Sequence, residues 1–317
     1  MKNIYSNIKK LKDKSKTRSI NILKNDGLVI LPTETVYGLA GNAYSKIAVK
    51  KIFKVKKRPK INPLIVHYHS IKDAAKDVYF TKEFLMLYNK FCPGPITFIL
   101  RKKKNSDIAK NTTAGLKSLA IRFPQHKIIR EILRNINFPL AMPSANKSGQ
   151  VSPTCADHVK NEFEDKVTVV DGGKSRFGLE STVINLTDRF EILRPGVISS
   201  SQIRNFLKIK IKPNKKAGAI KSPGMMKYHY SPGIPVKLNV SKSDGNSAFI
   251  VIGKKFKNKK NTFNLSEKSN LEEAAKNLYK TLISIKKKKY KKILVMKIPN
   301  VGIGVAINDR LKRASLK

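Results

Sequence analysis

The chain has 317 residues, 40% of them hydrophobic, and no apolar run near the ~20 residues that span a bilayer, so a soluble protein with a sizeable core is expected and a membrane anchor is not. The lysine-rich start, Met1 to Lys16, has no apolar stretch behind it, and Cys92 and Cys155 show neither metal-ligand spacing nor a disulfide framework, which fits a cytoplasmic protein. The formal net charge of +45 is spread over almost every segment beside many Asn and Ile residues, the pattern of compositional drift, and with no base-reading set it promises only nonspecific RNA contact.

Gly27 to Leu31 reads as a buried strand, followed by the polar segment Pro32-Thr33-Glu34-Thr35-Val36-Tyr37-Gly38-Leu39. Ile47, Val49, Ile52, Phe53 and Val55 recur at helical spacing across Ser45 to Lys56, and Lys56-Lys57-Arg58-Pro59 closes that helix before a strand at Pro63 to His67. Helices are expected near Ile71 to Val78 and Lys82 to Lys90, then strands at Ile96 to Leu100 and Ser118 to Phe123, and a helix from His126 to Asn135. The strand Pro139 to Met142 runs into Pro143-Ser144-Ala145-Asn146. Strands follow at Val167 to Val170, Thr182 to Leu186 and Phe190 to Leu193, with Gly178-Leu179-Glu180-Ser181 ahead of the second.

This alternation marks residues 1–207 as a mixed α/β domain. Residues 208–235 lack any sustained period and read as a linker; its stretch Pro223-Gly224-Met225-Met226-Lys227-Tyr228-His229-Tyr230 has the aromatic and basic make-up of a lid. Residues 236–317 form a small α/β unit with strands at Ala248 to Ile252 and Ile293 to Ile298, a helix across Leu271 to Ile285 and a Gly302/Gly304 turn into a last helix.

Cations, hydroxyls and an amide thus gather where loops leave strands, a setting that suits a phosphate-bearing ligand. Each group also has a plain structural reading. Lys56 and Arg58 complement a helix C-terminus, and Ser144 and Asn146 suit a turn. Ser144 lacks a nucleophile elbow and a convincing Asp and His. Asp171-Gly172-Gly173-Lys174-Ser175 imitates the end of a phosphate loop, but Thr168 stands where that pattern needs glycine. His67 and His69 share a strand face without a third metal ligand. Glu34 and Glu180 read either as an acid/base pair or as loop-capping carboxylates.

In their order along the chain these segments resemble the threonylcarbamoyl-AMP synthase family, in the longer form that joins a YrdC-like domain, a linker and a small C-terminal domain. Pro93 to Leu100, Ala120 to Phe123, Ser152-Pro153-Thr154, Leu193 to Gly196, Ser222 to Pro232 and Gly302 to Ser315 extend the likeness over nearly the whole sequence. The resemblance implies a twisted mixed sheet with flanking helices, followed by a small Rossmann-like domain. It implies a nucleotidyltransferase in which threonine takes up bicarbonate or carbon dioxide as a carbamate that attacks the α-phosphate of ATP, usually with magnesium, and pyrophosphate leaves. The product would pass to a separate tRNA-modifying transferase.

Position by position, the resemblance implies that Lys56, Arg58, Ser144 and Asn146 serve catalysis at the nucleotide, and that Asn62, Ser118, Ser152, Arg194 and Tyr230 add ATP contacts. It implies threonine contacts from Thr35, His67, Arg122, Met142 and Ser181, with His229 and Tyr230 in the lid. Two rivals stand beside it. An RNA-binding module would use the charge; a carbamoyl-transfer enzyme of the hydrogenase-maturation type would share the domain but normally carries zinc-finger cysteines.

Overall fold

The computed structural model describes residues 15–159, 162–163, 167–208, 229–256 and 259–316. Its larger sheet is built from β1 (Val29–Leu31), β2 (Gly38–Asn42), β3 (Ile65–His67), β4 (Ile96–Arg101), β5 (Ser118–Arg122), β6 (Leu140–Ala141), β7 (Thr168–Val169), β8 (Thr182–Asn185) and β9 (Glu191–Arg194). These nine strands lie in the order β7-β1-β2-β6-β3-β5-β4-β8-β9, with parallel and antiparallel neighbours mixed.

Side chains alternate across a pleated strand, so the sheet has two faces of different character. Val66, Phe98, Ile121 and Ile184 join the main core with Val49 and Ile52 of α2 (Lys46–Lys56) and Phe84 and Leu87 of α4 (Lys82–Phe91). Ile65, Ile99, Ala120 and Val183 form a separate, smaller cluster. One step of two further along, that second face carries His67, Thr97 and Arg122, and the register sets Arg122 beside both of the others. A row of polar side chains thus lies on a buried face.

The remaining helices of the large lobe are α1 over residues 15–24, α3 (Ile71–Ala74), α5 (Lys127–Arg134) and α6 (Ser200–Leu207). The helix expected from Ile71 to Val78 stops at Ala74. Asp77 lies past its end and accepts hydroxyl bonds from Tyr44, Tyr68 and Ser106, which anchor the chain there. The sequence also concealed β2. Gly-Leu-Ala-Gly-Asn has weak strand propensity, and its pairing with β1 and β6 is a tertiary effect.

The small domain holds a second, all-parallel sheet of β10 (Val236–Lys237), β11 (Ala248–Val251), β12 (Thr262–Asn264) and β13 (Ile293–Val295), ordered β10-β13-β11-β12. Helices α7 (Leu271–Lys287) and α8 (Gly304–Ala314) complete it; β10 and β12 are too short to leave a pattern in sequence. Val36, Val151 and Leu179 of the large lobe share a buried cluster with Leu278, Leu282 and Ile307 of the small one. At Gly178, with φ +68°, an added Cβ would lie 2.7 Å from the Lys276 backbone of α7, so only glycine permits this approach. Lys227 and Tyr228 of the expected lid, with the rest of 209–228, lie outside the described residues. Among the described residues, no helix is long and apolar enough to cross a membrane.

Candidate active site

A cavity of about 50 Å³ opens on the polar face of the large sheet, lined by Thr33, Gly38, Arg58, Ile65, His67, Arg122, Met142, Ser144, Glu180, Arg194, His229 and Tyr230 among others. Residues from β2, β3, β5, β9 and the loops after β6 and before β8 thus meet in one place.

The cations come first from the end of α2. Ser45 caps its start by accepting from the Ala48 amide, and Lys57 ends it in the left-handed region at φ 49°. Lys57 is left facing solvent while Lys56 and Arg58 turn inward and are buried. Lys56 Nζ donates to the Ser144 carbonyl at 2.5 Å and also to the Asn146 carbonyl, so it ties down the loop that presents the Ser144 side chain. Burial, then the charge of Arg58, lower the pKa of Lys56 well below the usual lysine range. Arg58 donates from Nε to the Asn62 carbonyl at 3.0 Å, and from Nη2 to Asn62 Oδ1 at 2.7 Å and the Pro63 carbonyl at 2.6 Å. Asn62 therefore aims Arg58. Arg194 donates to the Ser181 carbonyl and, at 3.1 Å, to Ser181 Oγ.

Arg58 and Arg194 share a decisive property: among the described residues neither bonds to a carboxylate. Burial, then Arg194, push the pKa of the Arg58 guanidinium down to about 9. Two guanidiniums buried near each other without a bonded carboxylate repel one another, and an anion in the cavity would relieve that repulsion.

The other lining arginine is neutralised. Arg122 Nη2 donates to Glu34 Oε1 at 2.5 Å, and the Gln125 amide donates to Glu34 Oε2 at 3.0 Å. Glu34 is a charge partner, neither a free base nor merely a cap. His67, beside Arg122, is kept neutral by burial and then by that guanidinium. Thr35 bonds to the Thr33 hydroxyl at 2.9 Å, and Ser181 Oγ to Thr97 at 2.7 Å. Met142 packs into the space that Gly38 leaves open, where a Cβ would meet its side chain at 2.5 Å.

Not every expected residue lines the cavity. Lys56, Asn62, Asn146, Thr35 and Ser181 stand directly behind the wall, and Ser152 bonds to Glu180 there at 2.7 Å. Ser118 shares the face of Arg122 but opens β5, paired with Arg101 and about 13 Å along the strand. His69 lies past the end of β3, meets Arg130 and Arg134, and does not line the cavity. Among the described residues, no three His, Cys, Asp or Glu side chains gather to hold a metal.

His229 and Tyr230 close the cavity, their rings 4.1 Å apart. The Tyr230 amide donates to His229 Nδ1 at 3.0 Å, which requires that nitrogen to be unprotonated. Burial lowers the pKa of His229 to about 3 from 6.5; Glu180 opposes the shift, and Arg58, Lys56 and Arg194 add to it. The docked position is therefore favoured in full above about pH 6.5 and loses free energy as pH falls from there toward 3. An NMR titration should find the His229 ring neutral down to about pH 4; a midpoint near its ordinary value would mean that the ring is not docked.

Glu180, missed as a charge partner in sequence, bonds to Arg310 of α8 at 2.8 Å. The available signal was an arginine set on the apolar face of a helix, in step with Ala306, Ile307 and Leu311.

Known proteins resemble the chain along nearly its whole length. Residues 21–196 match the family described as "Telomere recombination", and residues 198–315 match the "Threonylcarbamoyl-AMP synthase, C-terminal domain". The chain is 35% identical to the threonylcarbamoyl-AMP synthase of Pyrococcus abyssi, covering 92% of each sequence. It is 34% identical to that of Bacillus subtilis, over 93% of this chain and 91% of the relative. The crystal structure of P. abyssi Sua5 complexed with L-threonine superposes with a TM-score of 0.87 at 33% identity, covering 96% of this chain and 94% of that one.

Proposed function

The chain belongs to the threonylcarbamoyl-AMP synthase family, and from that premise we propose that its cavity holds ATP beside L-threonine and joins them through bicarbonate or carbon dioxide. The activity is that of a transferase forming threonylcarbamoyl-AMP for tRNA modification. The observation that carries the detailed reading is the pair of buried arginines, Arg58 and Arg194, with no carboxylate bonded to either among the described residues.

In this reading the threonine amine adds to carbon dioxide, forming an N–C bond and releasing a proton. A carbamate oxygen then attacks the α-phosphorus as the bond to the β-phosphate oxygen breaks, and pyrophosphate departs. Both reactants are anionic, so catalysis consists largely of offsetting their repulsion. Arg58 and Arg194 supply that charge, Lys56 fixes the Ser144 loop, and Asn62 fixes Arg58. Arg122 takes the threonine carboxylate, oriented by Glu34, and Thr35 and Ser181, just behind the wall, are assigned to its hydroxyl. No protein nucleophile is required.

The cavity with His229 and Tyr230 in place, about 50 Å³, has room for only a few waters at ~10–15 Å³ each, so these two residues withdraw to admit a triphosphate and return to keep water from the mixed anhydride. The donor set does not provide a magnesium cage: Glu180 and Glu34 are already spent on arginines. Magnesium fits as the companion of the nucleotide phosphates. A cytoplasmic site of action, and transfer of the product by a separate tRNA-modifying enzyme, complete the proposal.

The test is pyrophosphate release from ATP with threonine and bicarbonate omitted in turn. Release that needs both supports the reading. Release indifferent to threonine contradicts it.

A further inference from the structure

The small domain reaches the cavity wall through Arg310 of α8 and Tyr279 of α7. Arg310 belongs to the apolar face of α8 and its side chain is 0% exposed. Its Nε donates to Glu180 Oε2 at 2.8 Å and its Nη1 to Asp309 at 2.6 Å. Tyr279 of α7 donates to the same Glu180, 2.8 Å from Oε2, and Ser152 donates to Oε1 at 2.7 Å. The Arg310 guanidinium also lies 5.0 Å from the centre of the Tyr230 ring, and that ring stacks on Tyr279 at 5.8 Å and 20°. One buried arginine and one buried tyrosine therefore hold both a carboxylate of the cavity wall and the aromatic residue that covers it.

Such a pair is a poor way to gain stability. Removing a carboxylate and a guanidinium from water costs more than packing apolar groups of the same size, and the surrounding cluster of Leu179, Leu278 and Ile307 would accept apolar groups. A guanidinium retained for support alone would spend its donors, yet Arg310 Nη2 and the Tyr230 hydroxyl are buried with no partner among the described residues. Burial would raise the pKa of Glu180, but Arg310 and then Arg194, with the Ser152 bond, hold it down at about 2, so the carboxylate stays charged.

We propose that Arg310 and Tyr279 are positioning residues for the nucleotide half of the cavity, setting Ser152 through Glu180 and seating Tyr230 by stacking, so that the C-terminal domain is a working part of the active site. The proposal rests on the reading of the cavity given above. It divides the site between two ion pairs: Glu34 with Arg122 orders the threonine half from within the large lobe, and Glu180 with Arg310 orders the ATP half from the small one.

The experiment measures KM for ATP and for threonine in the full chain and in Tyr279→Phe, Arg310→Met and Arg310→Lys. It adds melting temperature and deuterium exchange of the ligand-free segment around Tyr230 and Ser231. Tyr279→Phe should raise KM for ATP about fivefold, the worth of one net hydrogen bond, and leave KM for threonine within about twofold. Arg310→Met should do more, Arg310→Lys should recover part of that loss, and exchange at the segment should quicken in each. Tyr279→Phe loses one hydroxyl and keeps its ring, so it carries the test if Arg310→Met fails to fold. An unchanged KM for ATP in folded Tyr279→Phe overturns the proposal whatever the exchange does; so does an equal rise in both KM values, which reports general loosening. If the unaltered protein releases no pyrophosphate with threonine and bicarbonate, the functional reading fails instead. The exchange data then still judge the clamp.

Discussion

Arg58→Met is expected to slow threonine-dependent pyrophosphate release by roughly 10²–10³-fold, the usual loss when one preorganised donor is removed from a site of developing negative charge. The same substitution should move the melting temperature little. Methionine gives up the bonds to Asn62 and Pro63, but it also removes a buried guanidinium that no carboxylate balances among the described residues, and these two effects oppose one another. Large loss of activity with small loss of stability is the signature of a charge kept for its ligand. Kinetics and calorimetry on one preparation settle the matter; comparable activity in the variant would remove Arg58 from the mechanism.

Arg122→Leu should behave in the opposite way for stability. It strands Glu34, whose side chain is 4% exposed, and breaking a buried pair from one side costs on the order of 3–5 kcal/mol. The double variant Arg122→Leu, Glu34→Gln should regain most of that stability, because it leaves no uncompensated charge, and yet bind threonine as poorly as the single one. Denaturant unfolding of both single variants and the pair closes the cycle. Additive losses of stability would show that the two residues do not act as a unit, and tight threonine binding by the double variant would take the carboxylate contact away from Arg122.

The ends of α2, β3 and β5 were legible in the sequence because apolar spacing fixes the elements, and the polar residues that interrupt it, Arg58, His67 and Arg122, had to be placed somewhere purposeful. The partners of those residues were not legible. Glu34 lies 88 residues from Arg122 and Glu180 lies 130 from Arg310, and local pattern carries no information about such pairings. Lys56 illustrates the same limit. Its helical position sends it inward, but only the tertiary path of residues 144–146 reveals that its ammonium bonds to backbone carbonyls there. Strand β2 stayed hidden because its residues are poor strand formers held by their neighbours.

Charge followed the same logic. The formal +45, spread over almost every segment, carried little information about function, whereas the arrangement that matters is inward and small. Of the arginines at or behind the cavity wall, Arg122 and Arg310 are matched by glutamates, which leaves the excess on Arg58 and Arg194. Surface lysines raise the potential everywhere; a buried unmatched guanidinium selects a place for an anion.

In the proposed function this excess grips a triphosphate next to an amino acid. A crystal structure with L-threonine and a non-hydrolysable ATP analogue is the decisive measurement. Phosphate oxygens are expected between Arg58 and Arg194, the threonine carboxylate on Arg122, and the Tyr230 ring seated against Tyr279. Nucleotide bound away from both arginines, with the cavity filled by threonine alone, would contradict that function.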